Sequence, residues 1–302
     1  MITELAKKIL PDGAKQGLSK IYYEQKIFKA ARSISRSEKG PEHLTEKLFY
    51  EYLEKFPVGE RMLYTDDAVL TRGNDRAQTV LATAAKHHQG NYIDFLELGA
   101  GEGMVSAALQ LAGKNATAIE YRSDDFDKRA KNADVNLLKM DAADLSFDDE
   151  SFDVVFSYNC YEHFPMPGKV FSESLRVLRK GGLMFIQFAP LYYSPWGAHA
   201  YNIIGIPYCH YLFDKRFMNS YIAENTNEKF VFDETLNRWH VNQFRELWHK
   251  KFSAQVLVKE YNEIKAPFFL DLVIQHPSCF KNKITSMDDL LVNEIFAVFQ
   301  KK

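Results

Sequence analysis

A glycine-rich segment between an apolar run and a helical pattern constrains the fold of this chain more than any other feature. The segment reads Glu97-Leu98-Gly99-Ala100-Gly101-Glu102-Gly103; the apolar run at 92–96 precedes it and a helical pattern at 104–111 follows it. A turn from strand to helix brings backbone N–H groups and a helix N-terminus against a ligand. Glycine is needed there because a side chain would block that approach. The segment therefore predicts a ligand-binding turn at the edge of a sheet.

Apolar runs and helical patterns alternate from residue 92 to residue 188. Further strands are predicted at 116–120, 135–139, 152–157 and 183–188, and helices at 125–131 and 170–178. This alternation predicts a parallel sheet that helices cover on both faces. Beyond it, β-rich runs predict a closing hairpin and a helical pattern predicts a last helix. The hairpin strands are expected at 254–261 and 268–275, and the helix at 286–300.

The rest of the chain does not follow this alternation. Residues 1–88 show apolar side chains at helical spacing, with a third helix predicted from Asp75 to His87 and Asn74 as its cap. Residues 190–240 are rich in aromatic residues and histidine. We therefore expect a helical N-terminal extension over 1–88 and an α/β domain over 89–302. The insert at about 190–240 is expected to act as a lid, because loops after parallel strands lie over the binding edge.

Composition and charge exclude several classes of protein. The formal net charge of −2 gives no global field that would favour nucleic acid or anionic lipid as a partner. The three cysteines are far apart in the chain, which favours a reducing compartment over a disulfide framework. We expect neither a secretory signal nor a membrane span, because residues 1–10 contain Glu4, Lys7 and Lys8 and no apolar run reaches about 18 residues. A cytoplasmic protein without a nucleic-acid partner is the expectation.

Glu120 lies at the end of the second predicted strand, where a ribose is commonly bound. An acidic side chain at this position can accept hydrogen bonds from both ribose hydroxyls. The alternative is a solvated carboxylate at a strand end. A dinucleotide-dependent dehydrogenase would look the same up to this point of the chain, but nothing after the fourth strand resembles a nicotinamide site.

Several further segments follow in an order that is more specific than the glycine turn alone. They are Met140-Asp141-Ala142-Ala143-Asp144-Leu145-Ser146-Phe147, Glu150-Ser151-Phe152-Asp153-Val154-Val155-Phe156, Ser157-Tyr158-Asn159, Glu162-His163-Phe164 and Leu175-Arg176-Val177-Leu178-Arg179-Lys180-Gly181-Gly182. Together with the glycine turn, this set resembles the class I S-adenosylmethionine-dependent methyltransferases, especially the branch that acts on small molecules. The resemblance covers residues 90–190 well and the closing hairpin more loosely.

The resemblance implies a doubly wound, seven-stranded, mostly parallel sheet and S-adenosylmethionine as the cofactor. The turn would hold the methionine and ribose portions, Glu120 the ribose, and Asp141 with the backbone of Ala142 the adenine amino group. Asn159 would face the methionine part and the reacting methyl group. The turn residues implied are Glu97, Gly99, Ala100, Gly101 and Gly103. From the residues themselves, Tyr121 can stack on the purine and Arg72 can meet the cofactor carboxylate, whereas Asp141 is alternatively a turn cap.

The acceptor side of the site is less constrained by the sequence. His163 is a candidate general base just past the fourth strand, or alternatively orders the local turn; His199 and His210 are candidates for the same role. Aromatic side chains of the insert are candidates to bind the acceptor, or alternatively form a small satellite core. Arg238 can hold an anionic acceptor. The candidate substrate-binding residues are Tyr192, Tyr193, Trp196, His199, His210 and Arg238.

The sequence favours one reaction and leaves two alternatives open. We expect methyl transfer to a small molecule, with oxygen slightly favoured over nitrogen or sulfur because candidate bases are present. No metal is expected, since the histidine separations match no standard ligand spacing. The alternatives are a macromolecular methyltransferase acting on RNA or protein, and a non-catalytic S-adenosylmethionine-binding protein.

Overall fold

The computed structural model describes residues 12–59, 65–88, 90–122, 126–226 and 236–302. The helices are α1 Asp12–Arg36, α2 Glu46–Lys55, α3 Asp66–His87, α4 Met104–Leu111, α5 Lys128–Asn132, α6 Pro167–Val177, α7 Cys209–Leu212, α8 Lys215–Asn225, α9 Val241–Glu246, α10 Leu270–Gln275 and α11 Met287–Leu291. A π-helical turn at Leu247–Lys251 and a 3₁₀ turn at Pro277–Phe280 accompany them. The strands are β1 Asp94–Leu98, β2 Asn115–Glu120, β3 Asn136–Lys139, β4 Phe152–Tyr158, β5 Leu178–Phe188, β6 Val256–Lys265 and β7 Val292–Lys301.

The strands form one seven-stranded sheet in the order β3-β2-β1-β4-β5-β7-β6. Strands β1 to β5 are parallel to one another, and β7 runs antiparallel to β5. The predicted doubly wound, mostly parallel sheet is therefore confirmed. Because the parallel strands all end at one edge, the glycine turn after β1 lies beside the ends of β2 and β4.

Each face of the sheet carries its own apolar core. Consecutive residues point to opposite faces, so Leu96 and Val155 join one cluster whereas Phe95 and Val154 join the other. The first cluster lies under α6 and α9, and the second under α3 and α4. All seven residues of β4 are buried, as expected for a central strand covered on both faces.

The contacts divide the chain into two compact units. One contains the described parts of residues 1–59, 193–232 and 265–291, and the other those of 60–192, 233–264 and 292–302. The first unit has its own core, in which the ring of Phe49 makes edge contacts with Phe213, Phe217 and Tyr221 at centroid distances of 4.9–5.0 Å. By this division α3 belongs with the sheet, whereas α1 and α2 belong with the described insert residues from 193 onward. The predicted boundary at residues 88 and 89 stays a prediction.

Three sequence predictions about single elements were wrong. Residues 270–275 form the helix α10 instead of a second hairpin strand, and most of the predicted last helix is the strand β7. β7 is apolar on both faces, and a short continuous apolar run does not distinguish a buried strand from a helix. The third helix begins at Asp66, where Thr65 is the cap and accepts a hydrogen bond from the N–H of Ala68, so Asn74 lies within it.

Candidate functional site

The glycine turn after β1 adopts backbone angles that favour glycine. Gly99, Gly101 and Gly103 have φ angles of 68°, 51° and 76°. The N–H groups of Gly99 and Ala100 both donate to the carbonyl of Ile119, each at 3.0 Å, which ties the turn to the end of β2. The N–H of Gly101 is directed elsewhere, toward the side chain that ends β2. The turn is therefore anchored at its start and leaves Gly101 at its most open point.

The three glycines differ in what surrounds them. A Cβ on Gly99 would overlap the sulfur of Cys160, and a Cβ on Gly103 would lie 3.3 Å from the side chains of Ala130 and Leu137. A Cβ on Gly101 would meet no atom within 4 Å. Gly99 and Gly103 are thus required by packing within the protein, whereas Gly101 borders open space that a ligand can fill.

Glu120 extends from the end of β2 back toward this turn. Its Oε2 accepts from the N–H of Gly101 at 3.0 Å, and its Oε1 accepts from the N–H of Tyr121 at 2.7 Å. A carboxylate offers about four lone-pair sites, so both oxygens keep capacity for a further donor. The side chain is half-buried and held beside the open space at Gly101. This placement fits a ribose whose two hydroxyls donate to the carboxylate.

Glu97, the first residue of the glycine segment, is buried and bonded within the protein. Its Oε2 accepts from the N–H of Ser106 at 3.1 Å and from the hydroxyl of Ser106 at 2.6 Å, which connects β1 to α4. Burial raises the pKa of this carboxyl to about 7, and the hydrogen bonds from Ser106 oppose that shift. Glu97 therefore fixes the helix that begins at the turn.

The raised pKa of Glu97 predicts a loss of stability as the pH increases. The folded protein holds the proton more tightly than the unfolded chain, so this contribution is complete below a pH of 4.5 and is lost as the pH rises through about 7. The loss is on the order of 3 kcal/mol. Urea unfolding at pH 5 and pH 8 measures it, and Glu97→Gln should flatten the difference because the amide does not titrate. An equal pH dependence in the variant would exclude Glu97 as its source.

The residues implied for adenine binding follow β2 and β3. Asp141 is exposed, and its Oδ1 accepts from the N–H of Ala143 at 2.8 Å, so it caps the local turn. A carboxylate that caps a turn with one oxygen still has a second oxygen for an exocyclic amine. Ala142 is buried, whereas the ring of Tyr121 is 71% exposed and accessible for stacking. The adenine contacts stay a prediction that this arrangement fits.

Asn159 ends β4 in an unusual backbone conformation. Its φ is 45°, its side chain is exposed, and its N–H donates to the carbonyl of Gln187 at 2.8 Å. An asparagine tolerates this left-handed conformation better than most residues do. The bond to Gln187 fixes the asparagine where β4 and β5 both end.

Helix α3 contributes two arginines near this edge. A Cβ on Gly73 would lie 2.8 Å from that of Met104, so α3 packs closely on the start of α4. On α3, the guanidinium of Arg72 lies 3.9 Å from the carboxylate of Glu102 in the glycine segment. Arg76, which sequence reasoning missed, lies 5.1 Å above the ring of Tyr158, and burial lowers its pKa. Its position one helical turn after Arg72 is the signal that could have identified it.

A cavity of about 340 Å³ opens beside Asn159, where β4 and β5 end. Its walls come from α3, β4, β5 and β7, which are distant in sequence. Most of the side chains that line it are polar or charged. They include Asp75, Arg76, Tyr158, Asn159, Gln187 and Glu294.

The predicted acceptor-binding residues are distributed over both compact units. In the unit with the sheet, the guanidinium of Arg238 lies 5.5 Å above the ring of Tyr192. In the other unit, the ring of Trp196 lies 5.5 Å from that of Phe269. The ring of Tyr211 lies 6.4 Å from that of Tyr193 and 4.5 Å from that of His210. The ring of His199 lies 6.4 Å from that of Tyr201. These contacts match the satellite core that was weighed against acceptor binding, and the acceptor role of these residues stays a prediction.

His163 and Cys160 belong to the turn that follows β4. The N–H of His163 donates to the carbonyl of Cys160 at 2.8 Å, and the imidazole is half-buried. The thiol of Cys160 packs against Gly99, and burial raises its pKa well above the ordinary value. Such a thiol is a poor nucleophile. The role of His163 as a base stays a prediction.

Comparison with known proteins agrees with this geometry. A family model described as "Methyltransferase domain" matches residues 96–186. A demethylmenaquinone methyltransferase of Clavibacter sepedonicus is 34% identical over 125 residues, which cover 40% of this chain and 50% of that protein. An uncharacterized methyltransferase of Mycolicibacterium vanbaalenii is 29% identical over 137 residues, which cover 43% of this chain and 49% of that protein. The chain thus spans about half the length of these two relatives.

Solved structures match a larger part of the chain at lower identity. A protein of Pyrococcus horikoshii is 18% identical with a TM-score of 0.46, and the match covers 83% of this chain and 99% of that one. A SAM-dependent methyltransferase of Methanosarcina mazei is 15% identical with a TM-score of 0.45, and the match covers 72% of this chain and 96% of that one.

The sheet order and the glycine turn beside Glu120, at the carboxyl edge of the strands, define a Rossmann-like fold. With the family match, they identify residues 96–186 as a class I S-adenosylmethionine-dependent methyltransferase domain. The resemblance to the class I family is confirmed for this segment, and S-adenosylmethionine is the cofactor of this domain. Within the residues that the structure describes, no helix is both long enough and apolar enough to cross a membrane.

Proposed function

We propose that this protein transfers a methyl group from S-adenosylmethionine to a small-molecule acceptor. One observation carries the proposal: the matched methyltransferase domain has open space at Gly101, and the Glu120 carboxylate is fixed beside it. Open space alone is common at turn glycines, but here a carboxylate lies beside it, held by the N–H groups of Gly101 and Tyr121. A ligand with hydroxyl groups that reaches this volume meets a carboxylate that is already oriented.

The residues of the site act by binding and orientation. Glu120 would hold the ribose, Asp141 the adenine amino group, and Asn159 the methionine end, so that the methyl group points toward the ends of β4 and β5. Bound S-adenosylmethionine supplies an electrophilic methyl group, to which an acceptor lone pair forms a bond while the carbon–sulfur bond breaks and its electrons remain on sulfur. The protein lowers the barrier by aligning the reacting atoms and excluding water.

We propose oxygen as the methylated atom and His163 as the base that removes its proton. The turn that contains His163 follows β4 directly, next to Asn159. His199 is the second candidate for this role. Under this proposal, His163→Gln lowers kcat on the order of 100-fold without changing the affinity for S-adenosylhomocysteine, because the amide cannot accept the proton. A lower rate accompanied by a matching loss of S-adenosylhomocysteine affinity would instead indicate a role in ordering the turn.

A small acceptor is favoured over a macromolecule on two grounds. The cavity beside Asn159 has the volume of a small metabolite, and one curated relative is named for methylation of demethylmenaquinone, a small molecule. A protein or RNA acceptor would instead require an extended binding surface. A non-catalytic binding protein needs no acceptor cavity at all.

The proposal is tested by binding and turnover in sequence. Isothermal titration with S-adenosylmethionine and S-adenosylhomocysteine measures cofactor binding, and release of labelled methyl into metabolite pools measures catalysis. We expect binding of both nucleosides and label in a small-molecule product. Binding without any transfer would support the non-catalytic alternative, and label in added RNA or protein would support a macromolecular acceptor. Absence of nucleoside binding would refute the proposal.

A further inference from the structure

The cavity beside Asn159 carries charges that restrict which acceptors it can hold. The acids Asp75 and Glu294 and the base Arg76 all line it. An apolar acceptor would remove water from these groups without supplying a polar partner in its place, which costs free energy. A long apolar molecule such as a prenylated quinone therefore fits this cavity poorly. The lining favours a hydrophilic acceptor.

Glu294 is held in place for binding. Its Oε1 accepts a hydrogen bond from the side-chain amide of Gln187 at 2.6 Å, so β5 orients a carboxylate that projects from β7. Gln187 also supplies the carbonyl that fixes Asn159. Gln187 therefore links the carboxylate of Glu294 to Asn159, the residue expected beside the reacting methyl group. Since one amide donor does not saturate a carboxylate, Glu294 keeps lone pairs for a ligand.

The charge balance of the cavity is negative. The guanidinium of Arg76 lies 5.1 Å from the centre of the Tyr158 ring, which lines the same cavity, so this cation is held against the cavity wall. The cavity lining therefore holds two carboxylates, those of Asp75 and Glu294, and one guanidinium, that of Arg76. A ligand with a positive group balances them, whereas an anionic ligand would meet two like charges.

We propose that the acceptor is a hydrophilic small molecule with a protonated amine, which Glu294 and Asp75 bind. This inference rests on the proposed function. A protonated amine has no lone pair and cannot itself be methylated, so it serves as the group that is recognised. The methylated heteroatom is a second group of the same molecule, positioned toward Asn159. An amino alcohol or a hydroxylated amine has this chemistry.

The test separates the class of acceptor from the activity itself. Binding of S-adenosylhomocysteine is first measured by calorimetry. A small-molecule extract is then separated by ion exchange at pH 7 into cationic, neutral and anionic fractions, and each is incubated with the protein and tritium-labelled S-adenosylmethionine. We expect label in the cationic fraction. Label in the neutral or anionic fraction alone overturns the inference and leaves the proposed function intact, whereas no label in any fraction contradicts both.

Variants then test the two carboxylates. The compound that accepts label is purified from the cationic fraction and used as the substrate. Glu294→Gln and Asp75→Asn should each raise its KM about 10- to 100-fold, because each variant loses one charged hydrogen bond. The kcat and the affinity for S-adenosylhomocysteine should change little. Glu246→Gln makes the same charge change in a surface pair with Lys250 and should have no effect. Wild-type KM values in both cavity variants would refute the assignment.

Discussion

Replacing Gly101 with valine should raise the dissociation constant for S-adenosylhomocysteine at least about 1,000-fold while the protein remains folded. In the structure, a Cβ at this position meets no atom within 4 Å, so the protein itself has room for the new side chain. Under the proposed function, the cofactor occupies the same space beside Glu120. A branched side chain would occupy it and would also hinder access to the N–H of Gly101. Calorimetric titration measures the affinity, and circular dichroism with urea unfolding measures the fold.

Gly113→Val is the matched control for this variant. Gly113 also has a positive φ, 79°, and a Cβ there also meets no atom within 4 Å. It lies between α4 and the start of β2, away from the carboxyl ends of the strands. Both variants therefore carry backbone strain on the order of 1–3 kcal/mol. Only the Gly101 variant should lose the cofactor. Equal affinities in the two variants would remove Gly101 from the site and with it the main support for the proposed function.

Local patterns were sufficient to predict the five parallel strands and the glycine turn after β1. The parallel strands β1 to β5 are each marked by an apolar run, and the glycine segment and Glu120 both lie at ends of such runs. Parallel strands end at one edge, so the order of these segments in the sequence already implies that they meet. The two segments do meet: the N–H of Gly101 donates to Oε2 of Glu120 at 3.0 Å, a hydrogen bond that the sequence did not predict.

The elements that sequence reasoning missed are those that long-range packing decides. β7 is buried on both faces, and its apolar residues show no period that separates a strand from a helix. Arg76 and Glu294 are unremarkable in the sequence because each is a single charged residue in an otherwise ordinary segment. They line one cavity only because α3 packs on α4 and β7 pairs with β5. No local pattern encodes that juxtaposition.

Replacing Gly99 with alanine should destabilise the protein by about 4 kcal/mol, through packing and not through the ligand. The new Cβ would overlap the sulfur of Cys160 and would lie 2.8 Å from the Cβ of the same residue. Its φ of 68° adds the strain that any side chain meets in this region. The two residues follow the adjacent strands β1 and β4, so neither can move away without disturbing the sheet. Urea unfolding measures the loss.

A second substitution at Cys160 distinguishes overlap from backbone strain. Cys160→Gly removes both atoms that the new Cβ would approach, so the double variant should recover about 2 kcal/mol of the loss and retain the strain term. Gly181→Ala supplies the strain alone, since Gly181 has a φ of 78° and a Cβ there meets no atom within 4 Å. Two results together would contradict this packing: Gly99→Ala is as stable as Gly181→Ala, and adding Cys160→Gly to Gly99→Ala recovers no stability. They would show that the turn and β4 are packed less closely than in the structure. Close packing at Gly99 holds the start of the turn rigid, and this rigidity places the N–H of Gly101 against Glu120.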